Sequence, residues 1–287
     1  MLRGIRDAVA NLRPEEVRQT ANRRLAIGLV ATSAAGYIAM EKFLAPPAEI
    51  SRERRAEILS MLHRAGDPGI PDRFDLVLYE HQLERAENAF TFYSYDPQRT
   101  VTDILADRND LGLALARHFF PFRKPVVNEI MFQVSRENAL FSLATALPNI
   151  VPNLIELPWV IGEFASDTAF LTMNQIRMAF LIAAASDSPI GYREQKAEIA
   201  SIITGAFGFR AIARELVGKI PFGGGLIPKG AVAFAGTYVM GLSLERYHRL
   251  GYGFTQEEKR LEYEYALKHG RTVAEVLLAG MKKVDAA

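Results

Sequence analysis

The sequence has no cysteine and a single tryptophan among its 287 residues. Without cysteine, disulfide staples, thiolate nucleophiles and cysteine-ligated zinc are all excluded. Net charge is nearly absent as well, with 34 Lys and Arg against 33 Asp and Glu. A nucleic-acid binder gathers a basic excess on one face, so nucleic acid is not an expected partner. Histidine is scarce: His63, His81, His118, His248 and His269 are the five, and none forms an HExxH pair. His81 lies near Glu80 and Glu84, but a solvated helix face is the better reading than a metal site. There is no GxSxG elbow for a serine hydrolase. The common enzyme templates therefore lack their residues, and neither an enzymatic activity nor a cofactor is expected. An unrecognised hydrolase would need two convergent titratable groups in one pocket.

What is present is apolar, with 49% hydrophobic residues, and unevenly spread. Residues 51–136 are rich in charge of both signs. Residues 138–186 carry four charged side chains, Glu156, Glu163, Asp167 and Arg177. No strand alternation stands out, so the expected class is all-α. Four regions follow from the composition: a basic arm and short hydrophobic segment (1–46), soluble helices (51–136), a hydrophobic helical domain (138–251) and a polar helical tail (252–287).

The arm holds six arginines and three acids over residues 1–24. The next sixteen residues, 25–40, carry no charge, which is short of the roughly 20 that a membrane span needs. This segment reads equally as a weak membrane anchor or a buried helix. Charged helices are then predicted over 51–65 and 74–93, the second with Leu76, Tyr79, Leu83, Ala86 and Phe90 at helical spacing. A third is predicted over 101–120, broken near Asn109 and Asp110 and ended by Pro121 and Pro125.

The hydrophobic domain begins with a short helix over 139–147. Pro148, Pro152 and Pro158 then punctuate a kinked hairpin linker, because proline costs about 3 kcal/mol in a helix interior. The helix predicted over 159–185 places Glu163, Asp167, Asn174 and Arg177 in one stripe. The carboxylates of Glu156, Glu163 and Asp167 are expected to meet Arg210, Arg214, Lys219 or Lys229, since buried charges must be paired. A Gly-rich loop precedes a last apolar helix over 230–247. On it, Ala233, Thr237 and Gly241 form a four-residue-spaced face for close packing against the hairpin. Tyr247, with Arg246, His248 and Arg249, ends that helix as an interfacial anchor or as a cationic terminus matched to the helix dipole. Two capping boxes, Thr255 with Glu258 and Thr272 with Glu275, predict two short tail helices.

A phosphate loop needs a strand, GxxxxGK[ST] and a helix. The nearest candidate, residues 223–230, has Gly230 where Ser or Thr is needed and loses a backbone donor at Pro228. With no strand predicted before it, it reads as a turn between helices.

Residues 205–247 read GAFGFRAIARELVGKIPFGGGLIPKGAVAFAGTYVMGLSLERY. The stretch resembles the uncharacterised domain at the C-terminus of some Era-like P-loop GTPases. The same domain occurs in YcjF-like inner-membrane proteins, which are associated with YcjX-like GTPases. The resemblance rests on Arg210, Gly223, Gly224, Gly225, Lys229, Gly230, Gly236, Thr237, Gly241 and Tyr247, and spans residues 139–251. It implies a hydrophobic helical protein at the cytoplasmic face of a bacterial inner membrane, with membrane lipid as a partner and no catalytic residues to carry over. The fused versions hold a GTPase domain. This chain shows none by sequence, so a P-loop GTPase is expected as a separate partner. The function expected is that of a non-enzymatic membrane-associated adaptor. The alternative is a soluble all-α scaffold whose apolar helices form a large core.

Overall fold

The computed structural model describes residues 12–146, 167–204 and 225–284. The chain is mainly helical, but it also holds a four-stranded parallel sheet, so its class is mixed α/β rather than all-α. Two compact units divide it. One comprises Glu16–Val126 and Ala184–Asp187; the other comprises Met1–Glu15, Val127–Ala183 and Ser188–Ala287.

The first unit is the α/β unit. Its order is α1 (Pro14–Ala21), β1 (Ile27–Val30), α2 (Ala34–Leu44), α3 (Arg52–Leu59), β2 (Leu62–Arg64), β3 (Leu76–Glu80), β4 (Phe90–Phe92), α4 (Pro97–Asp107), a 3₁₀ turn (Asn109–Leu111) and α5 (Gly112–His118). The sheet runs β2-β1-β3-β4 with every neighbour parallel. Ile27 aligns with both Leu62 and Leu76, and Leu78 aligns with Phe90.

The predicted anchor or helix over 25–40 is thus a strand followed by a helix. Its division is chemical. Ser33 takes an extended backbone (φ −144°, ψ 159°) and its hydroxyl accepts the Gly36 N–H, which starts α2 at Ala34. The residues of β1, Ile27–Val30, are buried apart from half-buried Val30, as parallel strands covered on both faces are. Burying Ile27 and Leu29 contributes roughly 1.5–3 kcal/mol each.

The helix predicted over 74–93 is likewise replaced by two strands. Leu76 and Leu78 are buried while Val77 and Tyr79 are only partly covered, which is period two. Ala86, counted on the predicted helical face, is exposed. Similarly, the helix predicted over 51–65 stops at Leu59 and gives way to β2. The break at Asn109 and Asp110 is present, as the 3₁₀ turn between α4 and α5.

The helical unit takes most of α6 (Phe120–Ala144) and α7 (Asp167–Ala185), a helix over 196–204, α9 (Leu226–Leu250) and α10 (Gln256–Val284), the 196–204 helix being α8. Pro121 and Pro125 do not end a helix. Pro121 lies in the first turn of α6, where the N–H groups have no partner inside the helix. Pro125 lies inside the helix and removes one of its backbone hydrogen bonds, and the short helix predicted over 139–147 is α6's C-terminal end. Gly251 caps α9 in the left-handed region (φ +84°), and its N–H returns to the Tyr247 carbonyl. The tail is one helix, not two. The Thr255–Glu258 capping box starts it, while Thr272 falls within it. One core cluster joins Ala139, Leu140, Leu143 and Ala144 of α6 to Phe234 of α9 and Ala274, Leu277 and Met281 of α10. At Gly270 a Cβ would lie 2.8 Å from the Ala231 carbonyl oxygen, so α9 and α10 approach closely enough to require glycine there.

Candidate functional site

Two polar constellations stand out, one in each unit. The first lies at the carboxyl edge of the sheet. The chain leaves β1 for β2 on one side and crosses back to β3 on the other, so the ends of β1 and β3 flank the switch point where doubly wound folds hold ligands. The residues that follow β1 and end β3 meet there. Glu80 Oε2 accepts the Thr32 N–H at 2.9 Å and the Thr32 hydroxyl at 2.8 Å. These two bonds, backbone first, hold the Glu80 carboxyl below its ordinary range. Beside it, a Cβ on Gly36 would lie 2.7 Å from Glu80 Oε1.

Farther along the same edge, the rings of His81, Tyr93 and Tyr95 pack tilted or edge to face at 5.0–5.9 Å, with Arg99 over Tyr93 at 4.4 Å. His81 therefore sits among aromatic rings. No group of three or more metal-ligating side chains occurs among the described residues. A groove of about 970 Å³ runs outside β4, lined by residues including Arg85, Arg99, Asp103 and Asp107. The edge of β4 facing it is partly closed. The buried Thr100 hydroxyl accepts the Tyr93 N–H and donates to the Thr91 carbonyl, and Arg85 donates to the Ala89 carbonyl. An edge strand so occupied is a poor template for another strand.

A third cluster in this unit is structural. Asp187, at φ +57°, faces Arg54 Nε at 3.0 Å, Arg123 at 3.5 Å and Arg117 at 3.8 Å. The arginines also donate to the carbonyls of Ala116, Arg117 and Ala184, at the C-terminal ends of α5 and α7, where cations are favoured. Burial first, then Arg54, pushes the His118 imidazole down. Its Nδ1 faces the donor-only Arg54, so Nε2 carries the proton and donates to the Arg23 carbonyl.

The second constellation is buried among the helices. Glu137 of α6 pairs with Arg177 of α7. Asn174 Nδ2 donates to Glu137 and to Asn138 Oδ1, both at 3.0 Å. Asn138 Nδ2 continues to the Thr237 hydroxyl oxygen of α9 at 2.8 Å, and Gln175 reaches the same oxygen at 3.3 Å. Asn138, Asn174 and Thr237 are at most 1% exposed. Three helices are thus fastened at one level, in an otherwise apolar core, where an unpaired amide is costly.

The residues singled out by sequence scatter around this network. Thr237 is inside it. Gly241 lies one turn on, where a Cβ would meet Met131 Cγ at 2.7 Å and Met178 Sδ at 3.2 Å. Ala233, on the same predicted face, is only partly buried. Gly230 packs against Leu143 and Ala274, Gly236 approaches Tyr263, and Gly225 caps α9 without a side-chain bond. Exposed Lys229 donates to Thr145, and Tyr247 is 39% exposed. Arg210, Gly223 and Gly224 lie outside the described residues, as do Glu156, Glu163, Arg214, Lys219 and the side chain of Asp167. Of the predicted stripe, Asn174 and Arg177 meet at Glu137, a residue sequence reasoning passed over. Its position immediately before the charge-poor block that begins at residue 138 was the available signal.

Among the described residues one helix, over Thr168–Ala185, is long and apolar enough to cross a membrane, and 72% of that stretch is buried inside the protein. No family model, no curated protein and no solved structure matches the chain, so its functional reading rests on these two constellations.

Proposed function

We propose that the chain is a non-enzymatic, membrane-associated adaptor that serves a P-loop GTPase supplied in trans. The observation that carries the reading is the pairing, in one chain, of two dissimilar units. One is helical, with a polar network inside its apolar core and charged side chains along the outside of α10. The other is a nucleotide-type parallel fold whose switch point holds no Lys and no cluster of catalytic groups among the described residues. Membrane lipid is the partner of the apolar stretches within 138–251, and the basic arm adds attraction to anionic headgroups, about 1 kcal/mol per Lys or Arg near the surface. The resemblance of residues 205–247 to a domain that recurs beside GTPases supports the choice of partner.

The test uses the whole protein, because a fragment over 51–136 would lack β1 and leave the sheet without its second strand. Untagged chain should sediment with membranes and require detergent for release. Captured from detergent extract, it should retain a P-loop GTPase in a nucleotide-dependent way. Recovery in the detergent-free supernatant would remove the membrane, and failure to retain any GTPase would remove the partner. The burial of most of α7 favours a second reading, a soluble helical scaffold with no lipid contact, which the same fractionation separates from the first.

A further inference from the structure

The turn from β1 into α2 has the context that the Gly-rich candidate at 223–230 lacks in sequence: a parallel strand, a short loop and a helix. It reads Ala31-Thr32-Ser33-Ala34-Ala35-Gly36-Tyr37-Ile38. Gly36 stands five residues after Ala31, the spacing of GxxxxG in a phosphate loop, but Ala31 replaces the first Gly, Gly36 is already the third residue of α2, and Tyr37 and Ile38 stand where Lys and Ser or Thr would contact the phosphates and a magnesium ion. In such a loop backbone N–H groups hold the anion. Here the carboxylate of Glu80 takes the Thr32 N–H and hydroxyl, and the Ser33 hydroxyl takes the Gly36 N–H. Glu80 Oε1 sits against the bare backbone of Gly36, in space that any side chain at 36 would enter. Arg64, which lies over the Tyr37 ring, does not replace the cation of the missing Lys, because it is paired with Glu41 at 2.7 Å.

We propose that the α/β unit is a nucleotide-type domain whose phosphate loop is permanently occupied by its own Glu80 carboxylate, and which therefore folds without nucleotide and does not take one. The inference is independent of membrane or partner. It assigns Glu80 the role of an internal phosphate surrogate, Thr32 that of its donor, and Gly36 that of the gap that admits it.

Full-length protein is melted with and without magnesium GTP, magnesium ATP or inorganic phosphate, with sodium chloride matching the ionic strength. Wild type should show no nucleotide-dependent rise at about 1 mM ligand, where a site of micromolar affinity would give a clear one. Glu80→Ala should melt lower, and phosphate at about 20 mM, but not chloride, should recover part of the loss. A nucleotide-dependent rise in wild type overturns the proposal, and so does a Glu80→Ala protein that melts like wild type or ignores phosphate. Should Glu80→Ala fail to fold, hydrogen exchange on nucleotide-free wild type decides. The Thr32 amide should exchange at least ten times more slowly than in an unstructured peptide, and free exchange there overturns the surrogate role.

Discussion

Replacing Thr237 by Val keeps the side-chain shape and removes the oxygen on which two amides converge. Asn138 Nδ2 loses its 2.8 Å bond and keeps only a 3.4 Å contact to the Leu171 carbonyl, inside a fully buried site. Gln175 loses a 3.3 Å bond but is 9% exposed, so water can partly serve it. One buried donor left short costs about 1–3 kcal/mol, and the lesser loss at Gln175 adds a few tenths. The added methyl, already inside the core, returns at most about 0.8 kcal/mol. Thr237→Val should therefore destabilise the helical unit by about 0.5–3 kcal/mol. Thr237→Ser keeps the acceptor and loses only a methyl, so it should cost about 1 kcal/mol or less. The two are separated by pairing each with Asn138→Leu in denaturant titrations of the full-length chain. Asn138 and Thr237 should couple by at least about 0.5 kcal/mol in the Val cycle. A Thr237→Val protein as stable as wild type, with no coupling to Asn138, would show that the network fastens nothing.

Other outcomes follow from the same contacts. Gly241→Leu should overfill the space against Met131 and Met178 and cost roughly 1–3 kcal/mol, so an unchanged melting temperature would contradict the packing described. The Glu258 carboxyl is drawn down to about 2, by the Thr255 N–H first and then by Arg246. Because the folded value lies below the unfolded 4.5, its contribution is present above that value and is lost as pH falls through about 2. Amide protection at the start of α10 should fall over that range in wild type, and Glu258→Gln should remove the pH dependence. Burial depresses the His118 imidazole, so its neutral form favours the fold above the ordinary histidine range and that favour is lost on acidification. A His118→Gln protein should show a flatter stability curve from pH 7 to about 5.

In the apolar half α9 was legible from length and composition: it begins four residues before its predicted start and ends three after its predicted end, whereas the helix predicted over 139–147 is only the end of the longer α6. The sheet was not legible, for a physical reason. Its strands have three to five residues, too short for the alternation of β3 and β4 to stand out, and β1 is a continuous apolar run that periodicity cannot tell from a buried helix. Leu76, Tyr79, Leu83 and Phe90 happened to match helical spacing as well. The cue that would have divided 25–40 was Ser33, an N-cap residue in the middle of an uncharged run. Glu80 could be read as acidic from sequence, but its bond to Thr32 spans 48 positions and only the strand order creates it.

The α/β unit is discontinuous: Ala184–Asp187 belong to it although 57 residues of the other unit intervene after Val126. Asp187 follows its partner Arg54 by 133 positions, so a chain emerging from the ribosome carries Arg54, Arg117 and Arg123 long before their shared counter-charge exists. Until α7 is made, the three guanidinium groups repel one another at the ends of helices they later secure. Completion of the N-terminal unit must therefore wait on synthesis of the apolar helices, and a nascent chain halted before residue 187 should expose a protease-sensitive α3 and α5.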